Sequence, residues 1–192
     1  NALVKTNEEL QDITLNLEQR VTNRTHDLEL ASEVGQLVTA RVDNLSVLLN
    51  ESVELIRARF NFYYTQVYLT DASGRAITLR AGTGEAGSQL LKRGHQLLIG
   101  SGSLNGRAAS EKQTVIVSNT AEDPGFLPNP LLPKTRSEMA VPLIAGNRVV
   151  GVLDIQSEEV NALNQENKPA FEALAGQLAV AIQNATLFNE AE

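Results

Sequence analysis

Between residues 2 and 60 apolar positions recur at helical spacing, proline is absent, and Gly35 is the one glycine. Leu3, Leu10 and Leu17 repeat every seven residues with Ile13 between them. A second heptad series runs through Leu28, Ala31, Gly35, Val38, Val42, Leu45, Leu49, Ser52 and Ile56. Val21 belongs to that second series yet stands four residues after Leu17, a stutter of the kind that locally unwinds a coiled coil. One continuous helix over this span would be roughly 85 Å long at ~1.5 Å per residue, so part of it should project from a small domain. Leu30, Val34, Leu37, Leu48 and Leu55 form a further stripe on a different face. A helix apolar on two faces needs two partners, here the chain's own sheet and a second subunit. The alternative is one amphipathic helix packed within a monomer.

Beyond residue 60 the period changes from helical to alternating. Residues 61–70 and 75–81 read as two strands around the turn Asp71-Ala72-Ser73-Gly74. A short helix over 85–93, closed by Gly94, leads to a third strand at 95–99. A second short helix at 107–111 takes Ser103 as its N-cap, and a fourth strand follows at 114–117. Residues 119–134 hold four of the six prolines (Pro124, Pro128, Pro130 and Pro133) and read as an irregular surface loop. Two β-branched, largely apolar runs flank Ala145-Gly146-Asn147-Arg148, which predicts a hairpin in the middle of a sheet covered on both faces. Pro142 lies inside the first run and must cost it a ladder bond or sit at a bulge. The last helix, 165–188, carries Phe171, Leu174, Leu178, Ile182 and Ala185 on one face. Ala175, Gly176, Ala179 and Val180 on its second face permit close approach of another helix.

Three motifs make this pattern specific: S-E-x-A-x-P-L, G-x-L-D-I-Q-S and L-A-x-Q-x-A-V-A-I-Q-N-A. They resemble the C-terminal half of a GAF domain, of the subtype found in bacterial transmembrane sensors. The resemblance implies an α+β fold, a six-stranded antiparallel sheet with the N- and C-terminal helices on one face, preceded by a long coiled-coil helix. Residues 17–29 further resemble the L-E-x-R-V-x-x-R-T-x-x-L-E linker that follows a membrane-proximal HAMP module. The expected division is therefore a coiled-coil signalling linker over 1–29 and the GAF domain over 30–192.

Composition narrows the partners. A net charge of −7 and a pI near 4.9, with scattered basic residues, disfavour nucleic acid and anionic membrane. The absence of cysteine excludes disulfides, thiolate metal sites, thiol nucleophiles and thioether-linked bilins, and fits a reducing cytoplasm. No apolar run is long enough to span a bilayer and no signal peptide is visible, so a membrane would be reached only through upstream segments.

Candidate chemistry is sparse. Gly100, Gly102 and Gly106 read as turn chemistry, because the helix they open is short and the next strand lacks the acidic residue that grips ribose. His26 and His95 lack partners at ligand spacing, so no metal site is read, and nothing calls for a cofactor. Glu138 and Asp154 interrupt apolar strands, where an ionised carboxylate costs several kcal/mol unless paired. Alternation places both on one face of the hairpin, with Arg136 as counter-charge. They form either the polar floor of a small-molecule pocket beneath the 119–134 loop or a salt bridge pinning that loop. Asn119 and Phe126 join them as ligand-site candidates, although Asn119…Asp123…Phe126 only faintly echoes the series of cyclic-nucleotide-binding relatives.

The resemblance implies a sensory and dimerisation module, not itself an enzyme, that relays a signal from an upstream helix to an output domain such as a histidine kinase or a chemotaxis-type signalling domain. Its cysteine-free sequence sets it apart from the sulfoxide reductases of similar fold. A homodimer would form through the N- and C-terminal helices, using Leu28, Ala31, Gly35, Val38, Val42, Leu45, Leu49, Ala179 and Val180. The alternatives are a regulatory domain switched by a small molecule, a nucleotide among the candidates, and a purely structural spacer.

Overall fold

The computed structural model describes residues 2–40, 44–100 and 102–191. Two helices, α1 (Ala2–Thr39) and α2 (Leu45–Phe60), precede the strands β1 (Tyr64–Thr70) and β2 (Ala76–Gly82). Then come α3 (Gly84–Lys92), β3 (Gln96–Leu98), α4 (Leu104–Glu111), β4 (Val115–Val117), the hairpin β5 (Ser137–Ala145) and β6 (Arg148–Ser157), and α5 (Lys168–Ala191). The six strands form one antiparallel sheet in the order β3-β2-β1-β6-β5-β4. This is the α+β architecture expected from the motifs.

The hairpin sets the register of the whole sheet. Ala145 pairs with Arg148 across Gly146 and Asn147, and Gly146 takes φ +62°, a conformation glycine adopts without a Cβ penalty. From that turn, alternation sends Met139, Val141, Leu143, Leu153 and Ile155 to one face, where they pack with α1, α2 and α5. Ala140 and Val152 face the other way, joining Tyr64, Tyr68, Ile77 and Leu79 beneath α3 and α4. Pro142 pairs with Val152, and the register shifts one residue further on, between Leu143 and Ile144. The irregularity expected of the proline is there, displaced to the next position.

The long N-terminal helix expected from the periodicity is present as α1, and the helical pattern up to residue 60 is carried by a second helix, α2. The chain restarts at Asn44, whose extended backbone and side-chain carbonyl cap α2 by accepting from the Val47 N–H at 3.2 Å. The break explains the two apolar stripes. Once α2 turns back, Val34, Leu48 and Leu49 all reach the same core, and Leu55 packs against it. Leu37 alone of the second stripe stays largely exposed, at 45%.

Ala31, Gly35, Val38, Leu49 and Ala179 were expected at a subunit interface, and they lie buried inside the monomer instead. Gly35 faces Gln177 of α5, and Ala31 and Val38 belong to the cluster that seats α1 on α5. Leu45 is half-buried against the same core, Leu28 and Val180 are exposed, and Val42 falls outside the described residues. Small residues permitted close helix approach, as the sequence suggested, but the approaching helix belongs to the same chain.

Two contacts give the helix pair its direction. Arg20 forms a 2.7 Å ion pair with Glu166, just before α5, and Gly35 lies against Gln177. The two helices therefore run parallel, with residues 2–19 of α1 reaching past the start of α5. Residues 2–26 are exposed throughout, Leu10, Ile13, Leu17 and Val21 each by more than half. Among the described residues no helix is long and apolar enough to cross a membrane.

Candidate functional site

The face of the sheet away from the helix pair carries polar side chains where apolar ones would pack. Gln66 sits between Tyr64 and Tyr68 on β1, and Gln66 pairs with Asp154 of β6. Asp154 in turn pairs with Ala140 of β5, and Gln156 with Glu138, so alternation puts all four polar side chains on one side. Each is at least about nine-tenths buried, and Asp154 is fully so.

Two hydrogen-bonded arms converge on one oxygen. Tyr64 Oη donates to Gln66 Oε1 (3.0 Å), and Gln66 Nε2 donates to Asp154 Oδ2 (2.6 Å). On the other side Thr135 Oγ1 donates to Gln156 Oε1 (2.6 Å), and Gln156 Nε2 donates to the same Asp154 Oδ2 (2.8 Å). Gln156 also reaches Glu138 Oε1, at 3.4 Å. Asp154 Oδ1 and Asn105 Oδ1 have no such donor among the described residues.

Burial dominates the electrostatics. It pushes the Glu138 carboxyl well above the usual carboxylate range, and the neighbouring Asp154 charge pushes it further. Asp154 is raised too, chiefly by burial, while the Glu138, Gln156, Gln66 and Asn105 side chains beside it oppose that shift. Two neighbouring carboxyls buried away from water resist ionising together, so the pair holds a proton above the ordinary carboxylate range. Burial likewise pushes Tyr64 and Tyr68 upward, keeping both phenols neutral, and holds His95 below its ordinary value.

Over this floor lies a pocket of about 390 Å³. Leu90 of α3, Leu97 of β3 and the ring pair Tyr68–His95, 6.0 Å apart, form one wall. Ser103, Leu104 and Asn105 at the start of α4 form another, and the 125–130 segment roofs it with Phe126 and Pro128. The roof is held by short polar ties. Asp123 Oδ1 accepts from Gly125 N, Asn129 Oδ1 accepts from Leu131 N, and Thr120 Oγ1 donates to the Thr135 carbonyl. A groove of about 440 Å³ between α1 and α2 is lined by Leu37, Val38, Leu48 and Leu55 together with Glu51, Ser52 and Glu54.

Of the residues singled out in the sequence, Glu138 and Phe126 line this pocket and Asp154 lies directly beneath its floor. Arg136 does not act as their counter-charge, which corrects the salt-bridge reading. It precedes the first residue of β5, where alternation no longer fixes direction, and its side chain is exposed while its N–H donates to the Ser157 carbonyl. Asn119 closes a turn through Ala121 N and lies apart from the pocket. The amides Gln66, Gln156 and Asn105 and the hydroxyl of Thr135 were missed. The signal for Gln66 and Gln156 was there, since each stands two residues from a polar neighbour on the same strand face.

Comparison with known proteins agrees with this geometry. The GAF domain family model matches residues 42–183, and the chain belongs to that family. It is 25% identical over 136 residues, 71% of this chain and 79% of the other, to GAF domain-containing protein A of Dictyostelium discoideum. Among solved structures it is similar to the GAF domain of a phosphoenolpyruvate-protein phosphotransferase from Coxiella burnetii, with TM-score 0.75, 21% identity and coverage of 88% and 99% of the two chains. It is also similar to the free methionine-R-sulfoxide reductase of Neisseria meningitidis, solved with its substrate, with TM-score 0.70, 21% identity and coverage of 88% and 94%. The last likeness corrects the expectation that the chain is not an enzyme, because this fold serves a catalyst as well as regulatory domains. Thiol chemistry is nonetheless closed to these 192 residues, which contain no cysteine.

Proposed function

We propose that the chain is a sensory GAF module that binds a small molecule between the sheet and the 119–134 loop and transmits that binding to its helices. The observation that carries this reading is the pocket floor, where buried amides and carboxyls converge beneath an open volume of about 390 Å³. A purely structural spacer would have filled that space with apolar side chains, since unsatisfied buried acceptors are costly. The same β6 that presents Asp154 and Gln156 continues into Ser157, and Ser157, Glu158 and Glu159 border a cleft shared with Asp27 of α1. Ligand contacts at the floor thus lie on the strand that meets the input helix.

The wider context belongs to the same proposal. The exposed heptad stripe of α1 fits a parallel coiled coil with a second copy, and the linker-like 17–29 segment fits a cytoplasmic region of a bacterial membrane-anchored sensor in a two-component or chemotaxis-type pathway. A ligand that binds one helix packing better than another would shift the balance between them. A thermal-shift screen of small metabolites tests the pocket. A compound present at a hundred times its Kd should add about 2.7 kcal/mol of stability, and Asn105→Leu should abolish the gain. If no compound shifts the wild-type transition, the pocket is not a ligand site and the spacer reading takes its place.

A further inference from the structure

Two buried acceptors at the pocket floor, Asp154 Oδ1 and Asn105 Oδ1, have no donor among the described residues. Asp154 Oδ2 takes both amide N–H groups offered by Gln66 and Gln156, leaving Asp154 Oδ1 without a donor among the described residues. Asn105, 6% exposed, has an unpartnered Oδ1. Glu138 Oε1 receives a single long contact of 3.4 Å. A buried acceptor left without a donor is unfavourable, so a ligand that brings donors is favoured at this end and one that brings a carboxylate or phosphate is repelled.

Resting on the reading of this pocket as a ligand site, we infer that its buried end receives a primary ammonium group, seated between Asn105 Oδ1 and the Glu138 carboxyl. An ammonium supplies three donors and no acceptor, which matches the deficit. The pocket wall suits the rest of such a molecule. Leu90 and Leu97 line the wall where an alkyl stem would lie, with Tyr68 and Phe126 as further apolar lining.

The charge balance is specific. The titratable groups around this end are Asp154 on β6 and Tyr64 and Tyr68 on β1, with His95 just before β3 and Arg93 just after α3 lining the same pocket. The tyrosines are neutral, burial holds His95 toward its neutral form, and Arg93 is exposed. An entering ammonium therefore replaces the proton that the two carboxyls share. The carboxyl pair becomes fully ionised, the ammonium keeps its own three protons, and one proton leaves to solvent. Affinity should rise with pH until the amine itself deprotonates.

Titration of the 192-residue protein with n-butylamine, n-butanol and butyrate, read by amide NMR shifts and by calorimetry in two buffers of different ionisation enthalpy, tests this. Butylamine should perturb the Tyr68, Leu90, Asn105 and Gln156 amides, bind about tenfold or more tightly than butanol, and release close to one proton per site. Glu138→Gln, which keeps the shape and a donor toward Asp154, should retain the native spectrum, abolish proton release and weaken butylamine by about tenfold. If butanol or butyrate binds as well as the amine, or Glu138→Gln binds it unchanged, the ammonium inference falls and the pocket remains a ligand site. If none of the three perturbs those amides, the ammonium inference falls, and the thermal-shift screen alone decides whether the pocket is a ligand site.

Discussion

At the scale of single residues, the carboxyl pair governs how stability depends on pH. Glu138 and Asp154 are both raised by burial, so the folded chain holds more protons than the unfolded one above the ordinary carboxylate range. Their contribution is fully present at acidic pH and is lost as pH rises through the folded values. Urea unfolding from about pH 5 to pH 9 should show the wild type losing stability along this range, and Glu138→Gln should flatten the decline. A curve as steep in the variant would remove Glu138 from this role. The pair itself was legible, because two acids interrupting apolar strands at matching parity cannot both face water. Its true partners were not. Arg136 shares the parity of Glu138 but precedes the strand, whereas Gln66 lies 88 residues from Asp154 and meets it only through the β1–β6 register.

Among the elements, the strands were readable almost residue by residue, since alternation, the Gly146 turn and the proline-rich loop all point to one sheet. The helices were harder. Heptad spacing cannot distinguish a long rod from two helices sharing a core, because both keep one face apolar, and the break at residue 44 carries no proline or glycine. The cue was Asn44 ahead of an apolar run, a capping residue that the periodicity masked. Asn44→Ala should therefore cost about 1 kcal/mol through the lost bond to Val47 N, seen as a lower melting temperature. An unchanged transition would mean that burial of Leu48, Leu49 and Val53 alone fixes where α2 begins. Two short helices on the opposite side are seated by contact rather than by propensity. Gly87 of α3 packs against the Gly82 backbone so closely that a Cβ would collide with it, which brings Leu90 down onto the pocket wall.

In the whole molecule, stability and assembly separate along α1. Residues 2–26 bury little against the domain, whereas Ala31, Val34 and Val38 are part of its core. A chain beginning at Leu30 should melt within about 2 °C of the full one, since surface residues away from such features contribute little. Light scattering should find the full chain dimeric and the shortened chain monomeric. A dimer in both would move the interface to the exposed Leu37, Val180 and Leu187, and a monomer in both would end the coiled-coil reading. The ion pair between Arg20 and Glu166 then acquires a mechanical meaning. It is the last described anchorage between α1 and the segment entering α5, and beyond it the helix continues for about 27 Å at ~1.5 Å per residue. That free length is a lever arm. A tilt of about 5° at Arg20 carries the Ala2 end through about 2 Å, comparable to the interhelical shifts by which signalling proteins change state.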